Sequence, residues 1–260
     1  MRLVLIAEAH ADAVSARRLA DRVLIECGPD WVADSIESLR SWTSLDADTS
    51  FTAWHDLKRH TKSHSVTIHG RNRGPDHTTA RRAFAVAVFV AKETRVDAVV
   101  LIRDLDNQPE RRMGLEEARK EMAPKLGFPA LIGTVNLERE AWILNGFVAK
   151  SDSESRRLEQ ATNRLGFDPT RQPYRLRGDR RRSAQDAERA IKRVLAELVA
   201  SDSVASDSGR EQDCLQDTPL KVLVARGGET GLSDFLQEVH SKLLPLFDSV
   251  PVKPCSALDP

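Results

Sequence analysis

The chain has 260 residues, of which 40% are hydrophobic and 30% are charged, and its formal net charge is zero. A chain of this length can bury a sizeable core, in one large domain or two small ones. No apolar run approaches the ~20 residues of a membrane-spanning helix, and a neutral charge points to no particular partner. The cysteines Cys27, Cys214 and Cys255 are few and widely separated. They do not suggest a disulfide framework, so we expect a protein of the reducing cytoplasm.

The first predicted strand brings an acidic residue to its end. Residues Arg2–Ala7 form an apolar run typical of a buried strand, and Glu8 follows directly. Apolar residues then recur with helical spacing from Asp12 to Glu26. Asp12 would lie in the first helical turn, where the helix dipole favours an acid by ~0.3–1 kcal/mol. The helix dipole therefore explains Asp12 better than it explains Glu8.

Four histidines lie between residues 55 and 69, in a segment that is otherwise hard to assign. His60 and His64 could share a helix face, and zinc sites use that spacing. No His-Glu-x-x-His signature accompanies them, so ordinary surface or core histidines are the favoured interpretation. The alternating, β-branched residues Ser65–His69 predict a short strand.

Two arginine-rich segments are candidates for binding phosphate. One is a turn-rich loop at residues 70–75, which precedes a predicted helix whose N-terminus could help to bind an anion. The other, residues 171–182, contains six arginines around the chain's only tyrosine and would suit the backbone of a nucleic acid. Plain solvated arginines are the alternative in both segments. The candidates are Arg71, Arg73, Arg175, Arg177, Arg180, Arg181 and Arg182.

The most informative stretch is a predicted buried strand that ends in two carboxylates. Residues Val99–Ile102 are apolar and favour a strand, and Asp104 and Asp106 follow them. Strand alternation would point both aspartates to the same side, and Mg²⁺ favours such oxygen ligands. The alternative is a polar loop whose aspartates cap the next helix.

Strands and helices alternate along roughly the first 150 residues. After Asp106 come a charged helix (Pro109–Ala123), a buried strand (Ala130–Asn136) and a helical run that begins near Glu140. This order predicts an α/β fold with a mostly parallel sheet flanked by helices. Ligand sites in such folds lie at the carboxyl ends of the strands. The acidic residues that can gather there are Glu8, Asp12, Asp104, Asp106 and Glu140.

The rest of the chain predicts a helical C-terminal extension. We expect a catalytic domain at 1–150, a helical basic segment at 151–200, an acidic linker at 201–218, a strand and helix at 219–250, and a tail at 251–260. Within this extension, Leu220–Ala225 predicts a strand. Gly231–Phe247 predicts an amphipathic helix whose apolar face could mediate a homodimer.

Together these motifs resemble the Toprim domain, which type II topoisomerases, bacterial primases, recombination mediators and nucleases of phage-defence systems share. Leu5-Ile-Ala-Glu8 is similar to its glutamate at the end of the first strand, and Leu101-Ile-Arg-Asp-Leu-Asp106 to its Asp-x-Asp pair. Glu140-Ala-Trp-Ile-Leu144 resembles an element of stand-alone Toprim-like proteins related to the overcoming-lysogenization-defect nucleases. The resemblance covers about residues 1–150. Ala9 departs from it, because a glycine usually follows the glutamate.

The resemblance implies a Toprim-like fold and an endonuclease dependent on Mg²⁺ or Mn²⁺, with Glu8 as general acid and base. Asp104 and Asp106, helped by Asp12 and Glu140, would hold the metal, and the arginines named above would bind DNA or RNA. It further implies an effector of prokaryotic antiviral defence with a regulatory partner protein. Two alternatives stay open. One is a catalytically silent Toprim module that binds nucleic acid or a partner protein, and the other is a transferase that holds a nucleotide-sugar diphosphate.

Overall fold

The computed structural model describes residues 1–68, 71–178, 187–200, 207–247 and 255–258. The chain divides into two compact units. Of the described residues, the first unit contains 1–134 and 235–247, and the second contains 135–234 and 255–258. No helix in these described ranges is long and apolar enough to cross a membrane.

The first unit is built on a parallel sheet flanked by helices, as the sequence predicted. Across the sheet the strand order is β2-β1-β4-β5, and β3 also pairs with β1. β1 runs parallel to β2, β3 and β4. The strands are β1 (Arg2–Ala7), β2 (Ser41–Thr43), β3 (Thr52–Ala53), β4 (Ala98–Asp104) and β5 (Ala130–Val135). The helices are α1 (His10–Cys27), α2 (Asp30–Leu39), α3 (Leu57–Ser63), α4 (His77–Val90) and α5 (Pro109–Met122).

The two central strands are buried because nearly all of their residues are apolar. Leu3–Ala7 in β1 and Ala98–Ile102 in β4 are each at most 1% exposed. Phe84 in α4 and Leu115 in α5 pack into the same hydrophobic cluster. Full burial of one such side chain contributes roughly 1.5–3 kcal/mol. This core holds the strand ends, and the polar residues that follow them, in fixed positions.

Helix α5 approaches the start of α4 closely at a glycine. A Cβ atom on Gly114 would lie 2.0 Å from the carbonyl oxygen of Pro75. Asp76 follows Pro75, precedes the first residue of α4, and has a left-handed backbone with φ of 60°. The small side chain of Gly114 therefore lets α5 pack against the turn that positions Asp76.

The second unit is helical and is organised around its first helix. Residues Ala141–Gly146 of that helix are all buried. The indole nitrogen of Trp142 donates a hydrogen bond to the carbonyl of Thr230 at 3.0 Å, and the Asn145 amide donates to the carbonyl of Arg226 at 2.9 Å. The helices are α6 (Glu140–Gly146), α7 (Asp152–Leu165), α8 (Ile191–Val199), α9 (Asp207–Gln216), α10 (Leu220–Gly227) and α11 (Leu232–Lys242), the last of which continues into the first unit.

Three local predictions differ from the structure. Leu220–Gly227 is a helix rather than a strand, because Leu220, Leu223 and Val224 have helical spacing and are buried together. Residues 207–216 form α9 where the sequence predicted a linker. Residues 65–68 are not a strand, and His69 lies outside the described residues. Short apolar runs are ambiguous between helix and strand, which explains the first of these errors.

The cysteines differ from one another in redox state. Cys214 is a free and buried thiol, whereas Cys27 and Cys255 are each disulfide-bonded. The expectation that the number and spacing of the cysteines argue against disulfides is therefore wrong for these two residues.

Candidate functional site

The parallel pairing of β1 and β4 brings two predicted site residues to the same edge of the sheet. Ile6 pairs with Leu101, and Glu8 and Arg103 lie two residues beyond these partners. β4 ends at Asp104, so Glu8 and Asp104 both lie at carboxyl ends of neighbouring parallel strands. This is the edge where open α/β sheets place ligand sites.

A buried arginine joins the carboxylates at this edge. The Arg103 side chain is 9% exposed and forms an ion pair with Glu8 through Nη1. Its Nε donates to an Asp76 carboxylate oxygen at 2.8 Å, and its guanidinium lies over the Trp54 ring at 5.3 Å. Burial alone would lower the pKa of Arg103, but the hydrogen bonds and charges of Asp76 and Glu8 outweigh burial and raise it. Arg103 is therefore a fixed positive charge among the acids.

A second arginine holds the turn after β4. Arg111 in α5 donates from Nη1 to the Asp104 carbonyl at 2.9 Å and to Asp106 Oδ2 at 2.8 Å. Its Nε lies 3.7 Å from Asp76 Oδ2. Asp106 and Asn107 have left-handed φ values of 48° and 59°, so the strand does not continue through Asp106. The two aspartates are thus neighbours across a turn, and the strand-alternation argument does not apply to them.

Asp12 has a structural role that the sequence also allowed. Its Oδ2 accepts a hydrogen bond from the Ala9 backbone N–H at 2.9 Å at the start of α1. The side chain is also largely buried. This capping contact accounts for an acid at position 12, because it satisfies a backbone donor at the end of the helix.

Glu140 begins α6 in the second unit. Burial raises the pKa of its carboxyl, and the nearby charge of Glu138 adds to that effect, whereas Arg139 and Lys192 oppose it. Arg139 Nη2 lies 3.8 Å from a Glu140 oxygen. The structure therefore describes Glu140 as a partly buried acid within the helical unit.

The candidate phosphate-binding arginines fall in two places and are mostly exposed. In the first unit Arg71 is exposed, and Arg73 lies 3.3 Å from Glu117. In the second unit the Arg175 guanidinium stacks on Phe167 at 4.3 Å. Arg177 is exposed. The predictions for Arg180, Arg181 and Arg182 lie outside the described residues.

The sequence did not predict that Asp76, Arg103 and Arg111 belong to this site. A charged residue inside an otherwise apolar strand was the available signal for Arg103, since buried arginines almost always have a partner. Asp76 lies after the Gly74-Pro75 turn and before α4, a position that favours aspartate for local reasons alone. Its proximity to Arg103, 27 residues away in sequence, is a tertiary feature.

The acids at this edge do not form a compact cluster of free ligand atoms. Within the described part of the chain, one group of three or more candidate ligand atoms lies within 4.8 Å of one another, and it consists of Asp46, His60 and His64. The ion pairs of Glu8 with Arg103 and of Asp106 with Arg111 supply the positive charge at the strand ends instead.

Comparisons of the chain with protein-family models, curated proteins and solved structures found no match.

Proposed function

We propose that the edge formed by β1 and β4 is the active site of a Toprim-type, metal-dependent nuclease that hydrolyses phosphodiester bonds. The observation that carries this proposal is the position of Glu8 and Asp104 at the ends of adjacent parallel strands, with buried Arg103 between Glu8 and Asp76. Acids and arginines at one sheet edge are the groups that phosphoryl transfer requires.

The donor chemistry of this edge fits Mg²⁺ or Mn²⁺. Carboxylate oxygens are the ligands that these hard cations prefer, and Mg²⁺ is usually held by one or two carboxylates plus water and substrate phosphates. Asp104 and Asp106 would hold the ion, and Arg111 would have to release Asp106, which it contacts at 2.8 Å. When bound, the metal would supply Lewis-acid stabilisation of charge on the phosphate and a more acidic water.

The side chains of this chain would perform the remaining steps. Glu8 is 40% exposed, so water and substrate can reach it, and it would accept a proton from the attacking water and return one to the leaving oxygen. Arg103 and Arg111 would exchange a carboxylate partner for a phosphate oxygen, because guanidinium groups bind both with the same geometry. The exposed arginines Arg71 and Arg73 would extend this contact along the nucleic acid.

One observation favours a second candidate, a catalytically silent module that binds nucleic acid or a partner protein. Glu8, the proposed proton carrier, forms an ion pair with Arg103. This contact occupies the carboxylate that would have to receive the proton. If this pair persists when nucleic acid binds, the site would bind phosphate without cleaving it. An effector role in antiviral defence, under a regulatory partner, is compatible with either candidate and is part of the proposal.

A cleavage assay distinguishes these candidates. Duplex DNA and single-stranded RNA are incubated with the full chain in Mg²⁺, Mn²⁺ or EDTA, and binding is measured in parallel. We expect cleavage that requires the metal, and a loss of at least about 100-fold in Glu8→Gln and in Asp104→Asn. The matched control is Glu26→Gln, which removes a carboxylate from an exposed ion pair with Arg22 in α1.

Full activity in Glu8→Gln or Asp104→Asn would overturn the proposal, as would cleavage that persists in EDTA. Binding of nucleic acid by the wild-type chain, with no cleavage in either metal, would instead support the silent module.

A further inference from the structure

We propose that Asp46, His60 and His64 form a binding site for a divalent transition-metal ion such as Zn²⁺. These three residues belong to the first unit, and none of them takes part in the proposed nuclease site. Imidazole nitrogens suit zinc and its neighbours in the first transition row, whereas Mg²⁺ prefers an all-oxygen set. The two sites would therefore select different metals.

The chain brings these three ligands together from two segments. His60 and His64 are one helical turn apart at the C-terminal end of α3, where the His64 backbone N–H bonds to the His60 carbonyl at 3.1 Å. Residues four apart on a helix lie on the same face. Asp46 comes from the loop between β2 and β3 and faces both rings.

The loop that carries Asp46 is held in place by neighbouring contacts. The Leu45 side chain is 1% exposed, and its backbone N–H donates to Thr52 Oγ1 at 2.9 Å. Arg2 Nη2 also donates to the Leu45 carbonyl at 2.8 Å. A preformed loop lowers the entropic cost of ordering a ligand when the ion binds.

The separations of the ligand atoms fit a small tetrahedral ion. His60 Nδ1 lies 3.1 Å from Asp46 Oδ2, and His64 Nε2 lies 3.0 Å from Asp46 Oδ1. All three ligand atoms lie within 4.8 Å of one another. Zinc bonds of about 2.0–2.2 Å place neighbouring tetrahedral ligands about 3.3–3.5 Å apart. Each imidazole nitrogen is therefore within a few tenths of an ångström of the separation that a tetrahedral ion requires from an Asp46 oxygen.

The burial of His60 provides a second, independent observation. Its residue is 5% exposed, and among the described residues its Nδ1 makes no contact with hydrogen-bond geometry, although Asp46 Oδ2 is 3.1 Å away. A buried polar atom without a hydrogen bond is costly. A metal ion that accepts the Nδ1 lone pair would remove this cost, and Nδ1 belongs to the set of three ligand atoms that lie within 4.8 Å of one another.

A pocket beside His60 leaves room for a further ligand. It has a volume of about 230 Å³, and its lining includes His60, Asp56, Arg59 and Thr49. Zinc sites with three protein ligands complete their coordination with water or another small ligand. Asp46 and His64 do not line this pocket, so the open position follows from the number of protein ligands, which is three.

Metal titration of the full chain tests this proposal. The protein is freed of metal with EDTA, dialysed, and titrated at pH 7.5 with Zn²⁺ by calorimetry and with Co²⁺ by visible absorption. We expect one ion per chain and the d–d absorption of tetrahedral Co²⁺. Asp46→Asn and His64→Gln should each weaken Zn²⁺ binding by on the order of 100-fold or more, and both residues are more exposed than His60.

His55→Ala is the matched control, because His55 is 78% exposed, precedes α3, and lies outside the cluster. It should bind Zn²⁺ as the wild-type chain does. The proposal would be overturned if the metal-free wild-type chain failed to bind Zn²⁺, or if binding were unchanged in Asp46→Asn and His64→Gln. The three residues would then be two histidines that pair with Asp46. Binding lost in Asp104→Asn but not in His64→Gln would assign the ion to the sheet edge and would also overturn it.

Discussion

Replacement of Arg103 by methionine should destabilise the first unit, because it removes the positive charge that pairs with the acids at the sheet edge. Methionine can keep apolar contact with Trp54, which the guanidinium covers at 5.3 Å, but it removes the charge. Removal of one partner of a buried ion pair typically costs about 3–5 kcal/mol. Glu8 is 40% exposed and can be hydrated. Asp76 would still have a positive partner, because Arg111 Nε lies 3.7 Å from its Oδ2. We therefore expect a loss at the lower end of this range, about 3 kcal/mol.

Urea unfolding followed by circular dichroism measures this loss. Arg95→Met is the matched control, because Arg95 is 73% exposed and pairs with Asp97, and such surface pairs contribute about 0–1 kcal/mol. Without the Arg103 charge, repulsion among the acids should make Mg²⁺ stabilise the variant more than the wild-type chain. A loss no larger than that of Arg95→Met, or no added stabilisation by Mg²⁺, would refute this reasoning.

Three further predictions concern other parts of the chain. Gly114→Ala should lower the free energy of unfolding by about 1–2 kcal/mol, since a Cβ would lie 2.0 Å from the Pro75 carbonyl oxygen. The control is Gly209→Ala, where a Cβ would meet open space. It should be neutral or stabilising by up to about 1 kcal/mol in the same urea assay. Burial raises the pKa of Glu140 in the folded chain, so ionisation of this carboxyl opposes folding as the pH rises from the unfolded pKa through the folded one. Glu140→Gln should therefore stabilise the chain at pH 8, and the gain should vanish below pH 4 in thermal unfolding. A destabilised variant at pH 8 would contradict this. Burial raises the pKa of the Cys214 thiol to about 12, so iodoacetamide should modify it at pH 8 only after unfolding; rapid alkylation of the native chain, detected by mass spectrometry, would contradict this.

The sheet could be predicted from sequence because its central strands are continuous apolar runs. Residues Arg2–Ala7 form β1 as predicted, and Val99–Ile102 lie within β4. Such runs are bounded by polar residues and turns, which makes their ends visible in sequence. The strand predicted at Leu220–Ala225 was wrong because six apolar-rich residues suit either period, and only packing within the helical unit decided for α10.

The candidate site could be predicted only in part. The sequence placed Glu8 and Asp104 at one edge because parallel pairing forces carboxyl ends together. The ion pairs of Arg103 join residues 27 and 95 positions away, and no local pattern encodes such contacts. The left-handed backbone at Asp106 and its contact with Arg111 in the following helix are likewise absent from any local pattern. Asp46 was missed for the same reason, since its nearness to His60 arises from folding.

Anomalous diffraction from crystals soaked in Mn²⁺ tests the central claim of a metal-dependent sheet edge most directly. We expect a Mn²⁺ peak bound by carboxylate oxygens of Asp104 and Asp106, within reach of Glu8, with Arg111 moved from its 2.8 Å contact with Asp106. Mn²⁺ density at His60 and His64 alone, with Arg103 and Arg111 still paired to their carboxylates, would contradict the claim.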